Sequence, residues 1–204
     1  MLYIIEKILP KNYGLDDVIE INDLLINAEK VHKLLGKLFN TEKESNWREK
    51  YNILYRQLKE SGKWVVQSDI PICEENARKL SIIFNKVSEK NLSPNMSLAL
   101  KVKVAPFKPD ENGKRKKIKL REDRFNWLKQ KFTYNDECEV LTITEFNPSI
   151  QYMEHEDTLK GKAALTGYDY SISVKIKDLD GFKKLLQKGI GPCKNYGFGL
   201  ITMI

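Results

Sequence analysis

The stretch Gly189-Ile190-Gly191-Pro192-Cys193-Lys194-Asn195-Tyr196-Gly197-Phe198-Gly199-Leu200 holds four of the eleven glycines in a chain of 204 residues. Glycine tolerates positive φ and lets another backbone, a base or a phosphate come close. A helical spacing through Phe182, Leu185 and Leu186 runs into the stretch, and the apolar tail Leu200 to Ile204 runs out of it. The order is therefore helix, glycine loop, strand. A Walker-type phosphate loop runs strand, loop, helix and needs Ser or Thr after its lysine; here Asn195 follows Lys194. A dinucleotide fingerprint is excluded by the same order. Two readings stay open on this pattern. One is a turn that lets a last strand join a sheet; the other is a loop that takes a phosphate, with Lys194 as the charge and Tyr196 and Phe198 as flat faces.

Upstream, residues 2 to 9 are apolar and β-branched and predict an opening strand. Leu24, Ala28, Val31, Leu35 and Leu38 then recur at helical spacing and form one buried stripe, with Asn27 able to cap a late start. Residues 41 to 50 are polar and read as a loop. Asn52 to Leu58 and Lys63 to Ser68 predict two strands joined at Glu60-Ser61-Gly62. A short helix over Glu74 to Leu80 and a strand at Ile82 to Phe84 complete the order β-α-β-β-α-β, the split βαβ of ferredoxin-like folds.

Asn91-Leu92-Ser93-Pro94-Asn95 marks a boundary. Beyond it, Leu98, Leu100, Val102 and Val104 alternate with Lys101 and Lys103, the signature of a half-buried strand. Residues 106 to 119 are turn-rich and end in a basic cluster. Arg121 to Phe132 is helical, Cys138 to Phe146 and Ala163 to Ile176 are strands, Asp178 caps a helix to Lys188, and Leu200 to Ile204 is the last strand. The second half thus repeats β-α-β-β-α-β without repeating sequence. The expected fold class is α+β, with tandem ferredoxin-like (RRM-like, βαββαβ) domains at 1–92 and 93–204.

A net charge of +7 favours an anionic partner, nucleic acid before membrane surface. Three distant cysteines and two histidines show no metal-ligand spacing and no disulfide framework. No metal or other cofactor is expected. The charged start, Met1 to Lys7, lacks the apolar core of a secretory leader, no apolar run reaches spanning length, and the expected location is cytoplasmic.

Three features suit chemistry: the glycine loop, the basic cluster Lys114 to Lys119, and His32. Basic side chains on a turn neutralise phosphates and give salt-dependent affinity, although a solvated turn has the same composition. His32 lies beside the buried stripe and titrates near neutral pH when unperturbed; a partly buried helical histidine with no role is the plainer alternative. His155 sits among carboxylates, at a surface or a weak metal site. The aromatic strand motif of RNA-recognition domains is not found.

Taken together these pieces resemble the CasE family, the CRISPR RNA-processing endoribonucleases of type I-E systems within the RAMP superfamily. The family's glycine loop is close to G-[IV]-G-P-x-K-x-x-G-x-G-L-L, and this chain keeps every anchor except the last leucine, replaced by Ile201. Val31 to Phe39 is similar to the family's first-helix motif, Trp64 to Ser68 with Pro71 to its V-L-V-Q-S…P strand, and Val102 to Pro106 to its R-x-R-A-N-P segment. Lys114 to Leu120 and Trp127-Leu128 resemble its basic loop and the W-L helix that follows.

The resemblance implies tandem ferredoxin-like domains that bind a CRISPR repeat stem-loop and cut once at the 3′ base of the stem, without metal. The adjacent 2′-OH attacks phosphorus, leaving a 2′,3′-cyclic phosphate and a 5′-OH. The crRNA stays bound and the protein joins the other subunits of Cascade; no membrane and, for the isolated subunit, no DNA contact are implied. His32 matches the catalytic histidine, the expected general acid or base, and Lys37 matches a position that is basic in some members and is the second expected catalytic residue, steadying the charge on the phosphorane. Lys33, Lys101, Lys103, Lys114, Arg115, Lys116, Lys117, Lys119 and Lys194, with Gly189, Gly191 and Gly197, are the expected RNA contacts. Glu29 stands where some members carry a catalytic tyrosine, and there it orients His32, raises its pKa or points away. That departure keeps open a second reading, a non-catalytic subunit that holds guide RNA.

Overall fold

The computed structural model describes residues 1–8, 27–58, 63–88, 90–153 and 163–203. They form two compact units: Met1–Glu89 with Ile150–Leu165 and Asn195–Gly197, and Lys90–Ser149 with Thr166–Lys194 and Phe198–Ile204.

In the first unit, β1 (Leu2–Ile8), β2 (Leu54–Gln57), β3 (Trp64–Gln67) and β4 (Ile82–Val87) make a sheet ordered β2-β3-β1-β4. Both pairings of β1 are antiparallel, which is the ferredoxin-like arrangement read from the sequence. Alternation in β1 and β3 turns Tyr3, Ile5, Trp64 and Val66 inward. Against them packs the stripe of α1 (Ala28–Leu38), where Val31, Leu35 and Leu38 are buried. Each such side chain taken from water contributes about 1.5–3 kcal/mol. Asn27 starts α1 as expected: its Oδ1 accepts from the Glu29 N–H at 3.0 Å and from Lys30. A short α2 (Trp47–Lys50) follows, and then α3 (Glu74–Lys79). Residues 41 to 50 were expected to be a loop throughout, and α2 corrects that. Its four residues are too few to show a helical period.

In the second unit, β5 (Ser97–Val104), β8 (Cys138–Met153), β9 (Ala163–Ile176) and β10 (Ile201–Met203) are ordered β10-β5-β9-β8, the same topology again. The helices are α4 (Arg121–Thr133) and α5 (Leu179–Lys188), the latter capped by Asp178 as read. Leu98, Leu100, Val102 and Val104 are buried, confirming the alternation of β5. Arg124 of α4, itself buried, bonds Glu145 of β8 at 2.6 and 2.8 Å, and Tyr170 of β9 donates to Glu145 at 2.6 Å. Burial alone would raise the Glu145 pKa, but the Arg124 and Tyr170 hydrogen bonds outweigh it and hold the carboxyl below its usual range.

The basic segment read as a turn is a hairpin, β6 (Phe107–Pro109) with β7 (Arg115–Lys117). Asp110 Oδ1 accepts from the N–H groups of Asn112 and Lys114 and closes its turn. The Glu60-Ser61-Gly62 turn and His155 lie outside the described residues. Among the described residues no helix is long and apolar enough to cross a membrane.

Candidate functional site

His32 sits at the second turn of α1, half-buried beside Val31. One turn further on is Gly36. A Cβ there would come within 3.3 Å of the Trp47 ring. The missing side chain lets Trp47 lie flat along α1, and His32 stacks on it with ring centroids 4.8 Å apart at 27°. Trp47 in turn fixes the start of α2, which places Arg48.

Arg48 is the residue that sequence reasoning missed. It is only 6% exposed. Its Nη1 lies 3.2 Å from His32 Nδ1 and donates to the Asn195 carbonyl at 2.5 Å. Its guanidinium carbon is 5.5 Å from the Trp47 ring and 5.1 Å from the Tyr55 ring, so two aromatic faces partly replace the water it has lost. Its Nε and Nη2, and the neighbouring Tyr55 hydroxyl, are buried with no hydrogen-bond partner among the described residues. Arginine only donates, so His32 Nδ1 must accept, and the ring proton of the neutral imidazole is on Nε2.

The electrostatics follow. Burial, and then the Arg48 charge, push the His32 pKa down to about 4. Burial pulls Arg48 down to about 10, which leaves it charged at neutral pH. Burial pushes the Tyr55 hydroxyl upward. His32 is thus an uncharged Nε2–H imidazole at neutral pH. Glu29 does not raise its pKa; the carboxylate lies 3.9 Å from Lys33, one turn along α1. Lys37 is exposed in the last turn. Five residues past His32, it is turned about 140° away around the helix axis.

The glycine loop has the order read from the sequence: α5, a 3₁₀ turn at Lys194–Tyr196, and β10. Gly189 ends α5, its N–H bonded to Leu185. Gly191 lies against Trp127, and Gly197 against Tyr55. Gly199 has φ +83° and an added Cβ would overlap the Ile190 carbonyl. Lys194 donates to the Lys188 carbonyl at 2.7 Å, at the negative end of α5. The Ile190 N–H is taken by Gly199, and the Gly199 N–H by Lys103.

Lys114, Arg115, Lys116 and Lys119 are exposed on or beside the hairpin, and Lys117 is half-buried. Lys101 is exposed on β5, but Lys103 is only 9% exposed and its ammonium lies 4.9 Å from the Phe198 ring. Its charge points into the second unit rather than to solvent. Among the described residues no three His, Cys, Asp or Glu side chains gather as a metal site.

A family model described as CRISPR associated protein matches residues 11–204. No curated protein sequence matches the chain. Among solved structures, the CRISPR endoribonuclease Cse3 bound to a 19-nucleotide RNA superposes with a TM-score of 0.80 at 16% identity, over 100% of this chain and 99% of that one. Thermus thermophilus Cse3 bound to an RNA representing a pre-cleavage complex gives 0.78 at 16%, over 100% and 98%. Cas6e from Escherichia coli K-12 gives 0.66 at 17%, over 100% and 98%. At these identities the likeness is one of fold.

Proposed function

The chain belongs to the CRISPR associated protein family, and from that membership and the setting of His32 we propose that it is an endoribonuclease that matures CRISPR RNA. The observation that carries the reading is the held imidazole. One histidine, stacked on Trp47 and bonded by Arg48 beside the Asn195 carbonyl, is aimed by its neighbours and kept uncharged. That suits a reaction whose nucleophile comes from the substrate. The 2′-OH next to the scissile bond attacks phosphorus, so the protein supplies no serine, cysteine or metal-bound water. It supplies alignment, proton transfer and charge.

In this reading the 2′-O–P bond forms and the P–O5′ bond breaks. The 2′-OH proton leaves to water, and His32, once protonated on both ring nitrogens, delivers its Nε2 proton to the departing 5′ oxygen and returns to the neutral ring. The products are a 2′,3′-cyclic phosphate and a 5′-OH. Lys33 and Lys37, exposed on α1, contact flanking phosphates, as Lys101 and Lys194 do elsewhere on the chain. Lys114, Arg115, Lys116, Lys117 and Lys119 grip the repeat stem, whose A-form duplex is recognised by shape and charge because its major groove is too narrow to read. The cut falls at the 3′ base of the stem, in the cytoplasm. The crRNA stays bound, and the protein becomes a Cascade subunit. A CRISPR RNA-guided surveillance complex contains a chain of the same fold, with a TM-score of 0.66 at 16% identity.

The test is a labelled CRISPR repeat hairpin incubated with the protein in EDTA. A single cut with a cyclic phosphate end is expected. Tight binding with no cut would replace the enzyme by a subunit that only holds guide RNA.

A further inference from the structure

Arg48 satisfies His32 Nδ1 and the Asn195 carbonyl with one nitrogen, and leaves the other two, Nε and Nη2, buried without partners. An arginine that is more than nine-tenths buried normally has its donors paired, because each unpaired polar group costs the water it has lost. Two rings flank it here, but a ring face accepts only weakly. The unused donors therefore point to an acceptor that arrives with the substrate. The fork of a guanidinium fits the oxygens of a phosphodiester. Asn195 itself is exposed, and its carbonyl takes the Nη1 position that a phosphoryl oxygen would compete for.

We propose that Arg48 is a substrate-sensing positioning residue: it holds His32 in the uncharged, Nε2-protonated form until an RNA phosphate engages its guanidinium and releases Nδ1. The inference rests on the endoribonuclease reading above. A histidine whose Nδ1 faces a guanidinium resists protonation. An imidazole with only the Nε2 proton is a poor acid, since losing it would leave an anion. Once phosphate takes the guanidinium, Nδ1 accepts a proton from solvent. The ring then carries N–H on both nitrogens, and Nε2–H goes to the 5′ oxygen as P–O5′ breaks. The ring ends neutral with its proton on Nδ1. Free enzyme thus keeps the acid unarmed until RNA is seated.

The other ionisable groups around this pair act weakly on the switch. Tyr55 of β2 and Tyr196 of the 3₁₀ turn favour the charge on Arg48, and burial pushes the Tyr55 hydroxyl upward. Glu29 and Lys33 of α1 lie near each other. Burial lowers the His32 pKa most, and of these groups it is the Arg48 charge that adds to it.

The experiment follows the His32 ring by ¹⁵N and ¹³C NMR against pH, with His32→Gln to assign the signals. In free protein the proposal expects an Nε2–H tautomer and a titration near pH 4. Adding a hairpin with a 2′-deoxy scissile nucleotide, which binds and is not cut, is expected to raise that midpoint by about one pH unit or more. Arg48→Gln and Arg48→Lys are read the same way without RNA. Gln is expected to raise the midpoint and to free the tautomer, and Lys to keep it low. In single-turnover cleavage, Arg48→Gln is expected to lower the rate about tenfold to a hundredfold with little change in half-saturation, and to shift the pH profile of the rate. A midpoint that stays put when the hairpin is shown to bind overturns the proposal. So does an Arg48→Gln chain whose His32 tautomer and midpoint match the parent. If Arg48→Gln does not fold, the parent chain with the 2′-deoxy hairpin decides. A hairpin that binds and moves the midpoint but whose 2′-OH version is never cut would leave the switch intact and sink the nuclease reading instead.

Discussion

Two sets of cations in this chain are treated in opposite ways. Arg48 is buried between two aromatic rings and shares one nitrogen between an imidazole and a carbonyl. The hairpin carries its cations at the surface, with Lys114, Arg115 and Lys116 all exposed. A desolvated charge acts over a few ångströms and sets the protonation state of its neighbour. Solvated charges act collectively and give affinity that salt erodes. In the proposed reading, the difference teaches that one protein can keep its chemistry and its grip under separate physical control.

The sharpest way to break that separation is to remove His32. His32→Ala is expected to slow single-turnover cleavage by about 10²–10⁴-fold, while leaving hairpin affinity within roughly threefold, measured by gel and by filter binding. An equal loss of both would merge the two regions into one. Next comes the hairpin. Replacing Lys114, Arg115, Lys116 and Lys117 together by Ala should cost on the order of a hundredfold in affinity near 0.15 M salt. It should also flatten the log–log salt slope by about 3, at roughly 0.7–0.9 per phosphate contact. The rate at saturating protein should survive.

A third measurement compares stability across pH. The folded His32 pKa is depressed to about 4, below the unfolded value of about 6.5. The unfolded chain then binds the extra proton between these values. The stability contribution is fully present above about pH 6.5 and is lost as pH falls toward 4, by about 1–2 kcal/mol once solvent screening of the half-buried ring is counted. Urea melts of parent and His32→Gln should therefore converge as pH drops, whereas the hairpin variant should keep the parent's slope. The smallest effect belongs to a residue in neither set. Cys193 holds φ +63° in the glycine loop. Cys193→Gly relieves that backbone and should raise stability by about 0.5–1 kcal/mol in the same melts, with cleavage unchanged.

What the sequence could disclose follows the reach of its interactions. The stripe of α1, the alternation of β5 and the helix-then-strand order around the glycine loop are local, and each was legible. The shared sheet order of the two units followed from them, and the CRISPR resemblance agrees with the family model. Arg48 was not legible. Its helix spans four residues, and its partner Asn195 is 147 positions away. The adjacent Trp47 and the small Gly36 were the only local hints of a packed corner. Lys103 was misplaced for a related reason. Alternation put it on the open face of β5, but Phe198, ninety-five positions on, covers that face. The hairpin read as a turn because strands of three residues are too short to show a period of two.

The His32–Trp47 stack has an optical consequence. Indole emission is quenched by a protonated imidazole in contact with it, far more than by a neutral one. Trp47 is one of three tryptophans, and the ring 4.8 Å from it is the imidazole proposed as the acid. The intrinsic glow of this protein is therefore a built-in gauge of the His32 charge, dimming as the imidazole becomes charged.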